Sequence, residues 1–463
     1  MREHGMPRFC GGAVSSSRRD CVTHLGRRIF SLLLATAAAL PAVAAAQAPA
    51  APPTLRQVPG IAFDRQISAI ERRPLAADVA EYFFTVRVGP GPHDRIGVHR
   101  VVKESAPDTP IQARRAVMLA HGDIWNFRAA FLTGARPLPV FLAEQGIDVW
   151  GIDYRWTLVP ATETDLSFMK DWGLDQDARD LGVAIGVARI ARGITGSGFG
   201  KIFLLGWSRG GDIGYAYLND ETQAPPALRQ VRGFIPVDIY LETDVATLEA
   251  AACQRAQNTE AAIAAGSFAN QSGGLIATLG NLAVSDPNGS SILNGPPFNL
   301  PSFTNRQAGL LVGEETFLFL AGLEPAPFYH FTGGTFDAQG KPSGLLYSDA
   351  ADLFTLEQRS APFQPNRELA DSDTATCGQT PVPFDQHLAD IKVPVLYIGA
   401  GGGFGELGLY NTTLLGSTDV TVHIVHKVPA DQRLSDYGHA DLFLAGDAHT
   451  LVWQPILDWI RTH

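Results

Sequence analysis

The chain has 463 residues, 45% of them apolar and only 18% charged, enough to build a large core as one big domain with insertions or as two to three domains. A formal charge of −11 disfavours nucleic acid and anionic membranes as partners. No internal repeat or long low-complexity tract marks a structural or adhesion protein.

Residues 1–46 read as a signal peptide. Arginines lead into the apolar run Ile29–Ala35 and an Ala-rich stretch, and Ala44-Ala45-Ala46 suits signal-peptidase cleavage. The apolar run is short for a membrane span, so removal is expected rather than a stable membrane anchor. Arg27-Arg28 fits a twin-arginine signal, and the predicted location is periplasmic or secreted. Cleavage would leave 30 basic and 45 acidic side chains, a charge of −15, and two cysteines, Cys253 and Cys377. In an oxidising compartment these can pair or remain as two buried thiols.

A linker and lead-in occupy 47–80. Tyr82–Val88 and Ile96–Val102 then read as paired strands, followed by an apolar strand Arg115–Ala120 ending in His121-Gly122. A helix is predicted over Phe131–Gln145, a strand over Ile147–Ile152, and a helix over Asp171–Ile190 with Leu181, Ala184, Ile185 and Ala188 on one face. The strand Ile202–Leu205 runs into Gly206-Trp207-Ser208-Arg209-Gly210 and a helix of small residues, and Val231–Val237 is the next strand. This alternation predicts an α/β fold with a mostly parallel sheet covered on both faces.

The alternation stops over 241–388, where Gly, Pro, Ser, Asn and scattered aromatics dominate. Glu249–Ala265 reads as helix and Asn281–Phe303 as loop. A stretch this long between sheet strands predicts a folded cap over the site, inserted between two parts of the core, 81–240 and 389–463. Strands resume at Val393–Ile398 and Val420–Val425, and a final helix, Asp447–Ile460, carries Pro455 as a candidate kink.

Gly206-x-Ser208-x-Gly210 between a strand and a helix is a nucleophile elbow pattern: a tight turn exposes the serine Oγ at a helix N-terminus, where amides stabilise an oxyanion. With Leu119-Ala-His121-Gly122-Asp123 upstream and Tyr437-Gly-His439-Ala-Asp441 downstream, the chain resembles the α/β-hydrolase superfamily, its serine esterases and lipases in particular. The resemblance covers the sheet portions and not the insertion. It implies a Ser208 nucleophile, His439 as base, and an oxyanion hole from the backbone N–H groups of Arg209 and Asp123, with Ile124 or Trp125 as alternatives to Asp123. The loop after the strand that follows the cap, where that family carries its acid, reads Gly399-Ala-Gly-Gly-Gly-Phe-Gly-Glu406. Glycines fill the expected positions, so Asp238, one strand earlier, is the favoured acid. That place resembles the relocated acid of some superfamily members; Glu406 and Glu242 stay as alternatives.

Among the other histidines, His121 is read as a brace of its loop, His423 and His426 as packing or surface residues, His449 as a solvated helix residue, and His330 and His387 as surface residues. Trp125 and Trp207 are candidates for the acyl pocket or for plain core. Arg209 is read as a salt-bridge partner rather than a substrate-carboxylate ligand. The Gly-rich run 401–405 is read as a flexible loop. No metal or cofactor motif is present. The function expected is an exported serine hydrolase for a small-molecule or lipid-like carboxylic ester. The same groups acting on an amide, thioester or carbon–carbon bond, or in acyl transfer, are the alternative within enzymes; a non-catalytic binding protein on the same scaffold is the alternative outside them.

Overall fold

The computed structural model describes residues 67–463, apart from 297, 301 and 315–327. The expected signal peptide and most of the lead-in lie outside the described residues. In chain order the core elements are β1 Glu71–Ala76, β2 Val79–Arg87, β3 Arg95–Ala106, β4 Arg115–Ala120, α1 Phe127–Phe131, α2 Leu138–Glu144, β5 Ile147–Asp153, α3 Leu174–Ile194, β6 Ile202–Trp207, α4 Arg209–Glu221 and β7 Val231–Val237. The insertion carries α5 Ala246–Ala264, α6 Ser272–Ser285, α7 Asn305–Glu314, α8 Ala350–Gln358 and α9 Asn366–Cys377. The core resumes with β8 Val395–Ala400, α10 Leu409–Leu414, β9 Val420–Val425, α11 Asp441–Leu444 and α12 Gln454–Thr462.

The main sheet runs β1-β2-β3-β5-β4-β6-β7-β8-β9. The first three strands pair antiparallel and β3 pairs antiparallel with β5. The six from β5 to β9 run parallel. β6 and β8 are buried along their whole length. Helices cover both faces there, so such strands carry continuous apolar runs rather than an alternating pattern. Two large apolar clusters result, one on each face: Phe127, Phe131, Trp207 and Trp459 belong to one, and Trp150, Leu181, Ile213 and Phe234 to the other. At the β9 edge, Val420 and Val422 are exposed.

Several expectations shift. β1 lies inside the stretch read as lead-in. The helix expected over Phe131–Gln145 is confined to α2, Leu138–Glu144: α1 ends at Phe131, Gly134 follows with a positive φ of 93°, and Pro137 takes the N-cap position of α2. The final helix is a π-helical turn, His449–Trp453, running into α12. Pro455 has no N–H to donate to the preceding turn, and a widened turn absorbs that loss. Within the insertion, α6 occupies part of the stretch read as loop.

The insertion joins the ends of β7 and β8, which are sheet neighbours. Its first and last long helices, α5 and α9, are joined by a disulfide between Cys253 and Cys377. That bond staples the entry of the insertion to its exit, 124 residues apart in sequence. Among the described residues, no helix is long and apolar enough to cross a membrane.

Candidate active site

Ser208 stands between β6 and α4 with φ 56° and ψ −134°, a conformation non-glycine residues rarely adopt. Such strain costs about 1–3 kcal/mol and persists only where the surroundings over-determine it. The glycines of the elbow answer to steric need. A Cβ on Gly206 would lie 2.2 Å from the carbonyl oxygen of Gly210, and one on Gly210 would lie 2.2 Å from that of Ala120. Gly122 is placed directly against Ser208: a Cβ there would lie 2.6 Å from Ser208 Cβ and 3.0 Å from its Oγ. Among the described residues, no hydrogen bond within the protein engages the amide N–H of Asp123 or Arg209.

His439 is buried in the loop before α11, and its Nδ1 lies 2.6 Å from Asp238 Oδ2. Its ring stacks on Trp207, with centroids 5.1 Å apart, and Phe404, Tyr329 and Phe331 surround it. The His439 N–H donates to the His330 carbonyl at 3.1 Å, and the Ala440 N–H donates to that of Phe331 at 2.6 Å. Gly438 permits this approach, since a Cβ there would lie 2.7 Å from the Phe331 oxygen. Asp441, two residues on, accepts the N–H groups of Gly438 and Gly333, both at 2.8 Å, and the Ser348 hydroxyl. Burial pushes the Asp441 carboxyl up to about 7.

Asp238, fully buried with φ 50°, begins where β7 ends. Its Oδ1 accepts the amides of Ala400 and Gly405, both at 2.8 Å, and its Oδ2 accepts that of Phe404 at 3.1 Å. The glycine run 401–405 is therefore a packed cradle and not the flexible loop expected. A Cβ on Gly403 would lie 2.0 Å from Asp238 Oδ2, one on Gly401 2.1 Å from Asp436 Oδ2, and one on Gly402 2.3 Å from the His330 ring.

Of the two carboxylates weighed most closely for His439, the structure brings Asp238 to it and not Glu406. Glu406 is half-exposed and pairs with Arg433 and with His426 Nε2. Glu242 lies elsewhere, its N–H given to Asn411. Arg209 is ion-paired with Asp123 and Asp212. Trp207 is completely buried beneath His439, and Trp125 stacks on Phe331 at 5.5 Å. His121 bonds its own loop through Gly122 O and packs edge-on against Tyr154 and Trp156.

His330 departs from expectation. Read as a surface residue, it is buried, with Nδ1 near Phe328 O and Nε2 2.8 Å from Asp436 O, and burial lowers its basicity. It fastens the insertion to the histidine loop. Nothing local in the sequence signals Tyr329, Phe331 or Gln364 as neighbours of the site, because each reaches it only through tertiary packing. Among the described residues, no group of three or more His, Cys, Asp or Glu is arranged to hold a metal ion.

No protein-family model matches the chain, and no curated protein matches it in sequence. Solved structures do match in fold. A candidate lipase from Sulfolobus solfataricus superposes with a TM-score of 0.54 at 17% identity, covering 83% of this chain and 95% of that one. A soluble variant of monoglyceride lipase from Saccharomyces cerevisiae gives a TM-score of 0.41 at 12% identity, with 88% and 97% covered. An esterase from Thermogutta terrifontis gives 0.38 at 14%, with 82% and 97% covered. The first of these carries the comparison: the chain has the α/β-hydrolase fold, a mostly parallel sheet with helices packed on it.

Proposed function

We propose that this α/β-hydrolase-fold protein is a serine hydrolase cleaving carboxylic esters through an acyl-enzyme on Ser208. The observation that carries the reading is the buried Asp238–His439 pair at 2.6 Å, its imidazole stacked on Trp207, the residue before a serine held at positive φ against Gly122. Asp238 accepts the proton-bearing Nδ1 and so leaves Nε2 as the basic nitrogen. Its three amide bonds hold the carboxylate in place, and it stabilises the imidazolium without taking its proton.

In the first half-reaction His439 Nε2 removes the Ser208 Oγ proton as Oγ bonds to the ester carbonyl carbon. The carbonyl π pair moves to oxygen, and the Arg209 and Asp123 amides stabilise that oxyanion. The intermediate collapses, the C–O bond to the leaving alkoxide breaks, and His439 returns the proton to it. Water, deprotonated by the same nitrogen, then releases the carboxylic acid and restores Ser208. One oxyanion donor is worth roughly 3 kcal/mol in comparable enzymes.

The reading is tested by incubating the protein with p-nitrophenyl acetate and butyrate and with a fluorophosphonate. Turnover, a single labelled site at Ser208, and loss of both in a folded Ser208→Ala variant are expected. No turnover and no labelling of Ser208 would falsify it. Export belongs to the same proposal: the Cys253–Cys377 bond suits an oxidising compartment. Expression with the full N-terminus should yield a periplasmic or secreted form starting near Gln47 by mass spectrometry, and an uncleaved cytoplasmic product would sink it.

A further inference from the structure

We propose that the Arg209–Asp123 ion pair is a positioning clamp that fixes the two oxyanion-binding amides relative to each other, with Gln364 of the insertion holding its outer side. The proposal rests on the hydrolase reading above and deepens it.

The two residues that supply the amides are 86 positions apart, one opening α4 and the other in the loop after β4. Main-chain amides cannot choose their own separation; whatever fixes the two segments sets it. Here the side chains of the same two residues meet. Arg209 Nε donates to Asp123 Oδ1 at 3.0 Å and Nη2 donates to Oδ2 at 3.3 Å, a two-point fork that resists rotation as well as separation. The third nitrogen, Nη1, donates to Asp212 Oδ2 at 3.0 Å, one turn along α4. Ser372 Oγ of α9 donates to the same Asp212 oxygen at 2.8 Å. All three guanidinium nitrogens are thus engaged, so the side chain is committed to the protein. Burial disfavours its charge, but the Asp123 and Asp212 carboxylates outweigh that and hold the proton firmly.

The loop it holds needs holding. Ile124, β-branched, sits at φ 55°, where only a constrained backbone keeps such a residue. Its carbonyl accepts the Ala361 N–H at 2.6 Å, and Gln364 Nε2 donates to Asp123 Oδ1. Both partners come from one short segment of the insertion. The oxyanion loop is therefore gripped from α4 on one side and from the insertion on the other. A donor displaced by a fraction of an ångström stabilises the transition state less while leaving ground-state binding intact, so the signature is in kcat.

The test compares wild type, Asp123→Asn and Arg209→Lys on p-nitrophenyl butyrate, with a trifluoromethyl ketone as oxyanion-forming inhibitor and butyrate as product inhibitor. Asp123→Asn should lower kcat by about 10- to 100-fold, below the ~10²–10³ cost of deleting a donor outright. KM and butyrate inhibition should stay within about twofold, and ketone affinity should fall in step with kcat. Arg209→Lys, which keeps the charge but loses the fork, should fall between Asp123→Asn and wild type. Thermal midpoints report folding for each variant. Unchanged kcat in both folded variants overturns the clamp alone, as does a lower kcat with undiminished ketone affinity. Wild-type protein that neither hydrolyses the ester nor binds the ketone overturns the hydrolase reading and the clamp with it.

Discussion

The ends of β7 and β8 lie side by side, with Val237 opposite Ile398, and they divide one task unequally. β7 ends on a charge, Asp238. β8 ends on amides and empty space, the N–H groups of Ala400, Phe404 and Gly405 and the missing side chain of Gly403. A buried carboxylate needs donors to offset its lost hydration and room for its oxygens. One loop supplies the carboxylate and its neighbour supplies the three amides and the room around it, leaving His439 as the remaining partner. The glycine run that looks like the loss of an acid is the housing of an acid carried by the adjacent strand.

Breaking the charged side should have the largest effect. In Asp238→Asn the amide presents N–H groups where Phe404 N–H or His439 Nδ1–H already donates, and the imidazole loses its orientation. We expect kcat on p-nitrophenyl butyrate to fall about 10⁴-fold with the fold retained, measured by steady-state kinetics beside circular dichroism. Breaking the housing should cost less. The new methyl of Gly403→Ala meets Asp238 Oδ2 and must displace either the loop or the carboxylate, so a loss of about 10²-fold is expected. A Gly403→Ala enzyme with full activity would mean that the cradle is incidental.

The insertion sharpens the comparison from another direction, because it also buries a carboxylate, Glu368, but gives it one long hydrogen bond, from Gln364 Nε2 at 3.4 Å, in place of three main-chain amides. Burial raises Glu368 in α9 to about 8, with the Asp123 charge nearby adding to it. Between about pH 4.5 and 8 the folded protein keeps a proton that the unfolded chain has released, so this group's contribution to stability falls as pH rises through that window. Glu368→Gln should therefore raise the thermal midpoint by a few degrees at pH 9, and the gain should shrink toward pH 5. A pH-independent difference would contradict it. The smallest effect belongs to Glu406→Gln: that carboxylate faces Arg433 and His426, and kcat should stay within about twofold of wild type.

Legibility followed distance along the chain. The Ser208 elbow could be read because strand, turn and helix are contiguous, although Gly210 answers to Ala120 on the neighbouring strand β4 and only Gly206 to a contact within the turn. His439 could be read from its order after the last strand. The acid could be ranked, with Asp238 ahead of Glu406 and Glu242 because glycines fill the usual place, but its approach to His439 could not be read, since strand ends carry no record of which loop turns inward. His330 was misread because an isolated histidine in a loop-rich stretch resembles any surface histidine; only the approach of the 328–333 segment to the histidine loop buries it. The late start of the helix expected over Phe131–Gln145, at Leu138, goes with Gly134 adopting positive φ, which a periodic pattern does not encode.

The sequence by itself determined the alternation of strands and helices, the tight turn at Ser208 and the position of His439 after the last strand, because apolar periodicity and the order of short motifs are local properties of the chain. Only the tertiary structure decided which carboxylate serves His439, what the glycines after β8 accommodate, and how Phe331, Ala361 and Gln364 of the insertion reach the site. Those contacts join residues up to 241 positions apart, and their geometry is set by how the two halves of the sheet and the insertion pack together.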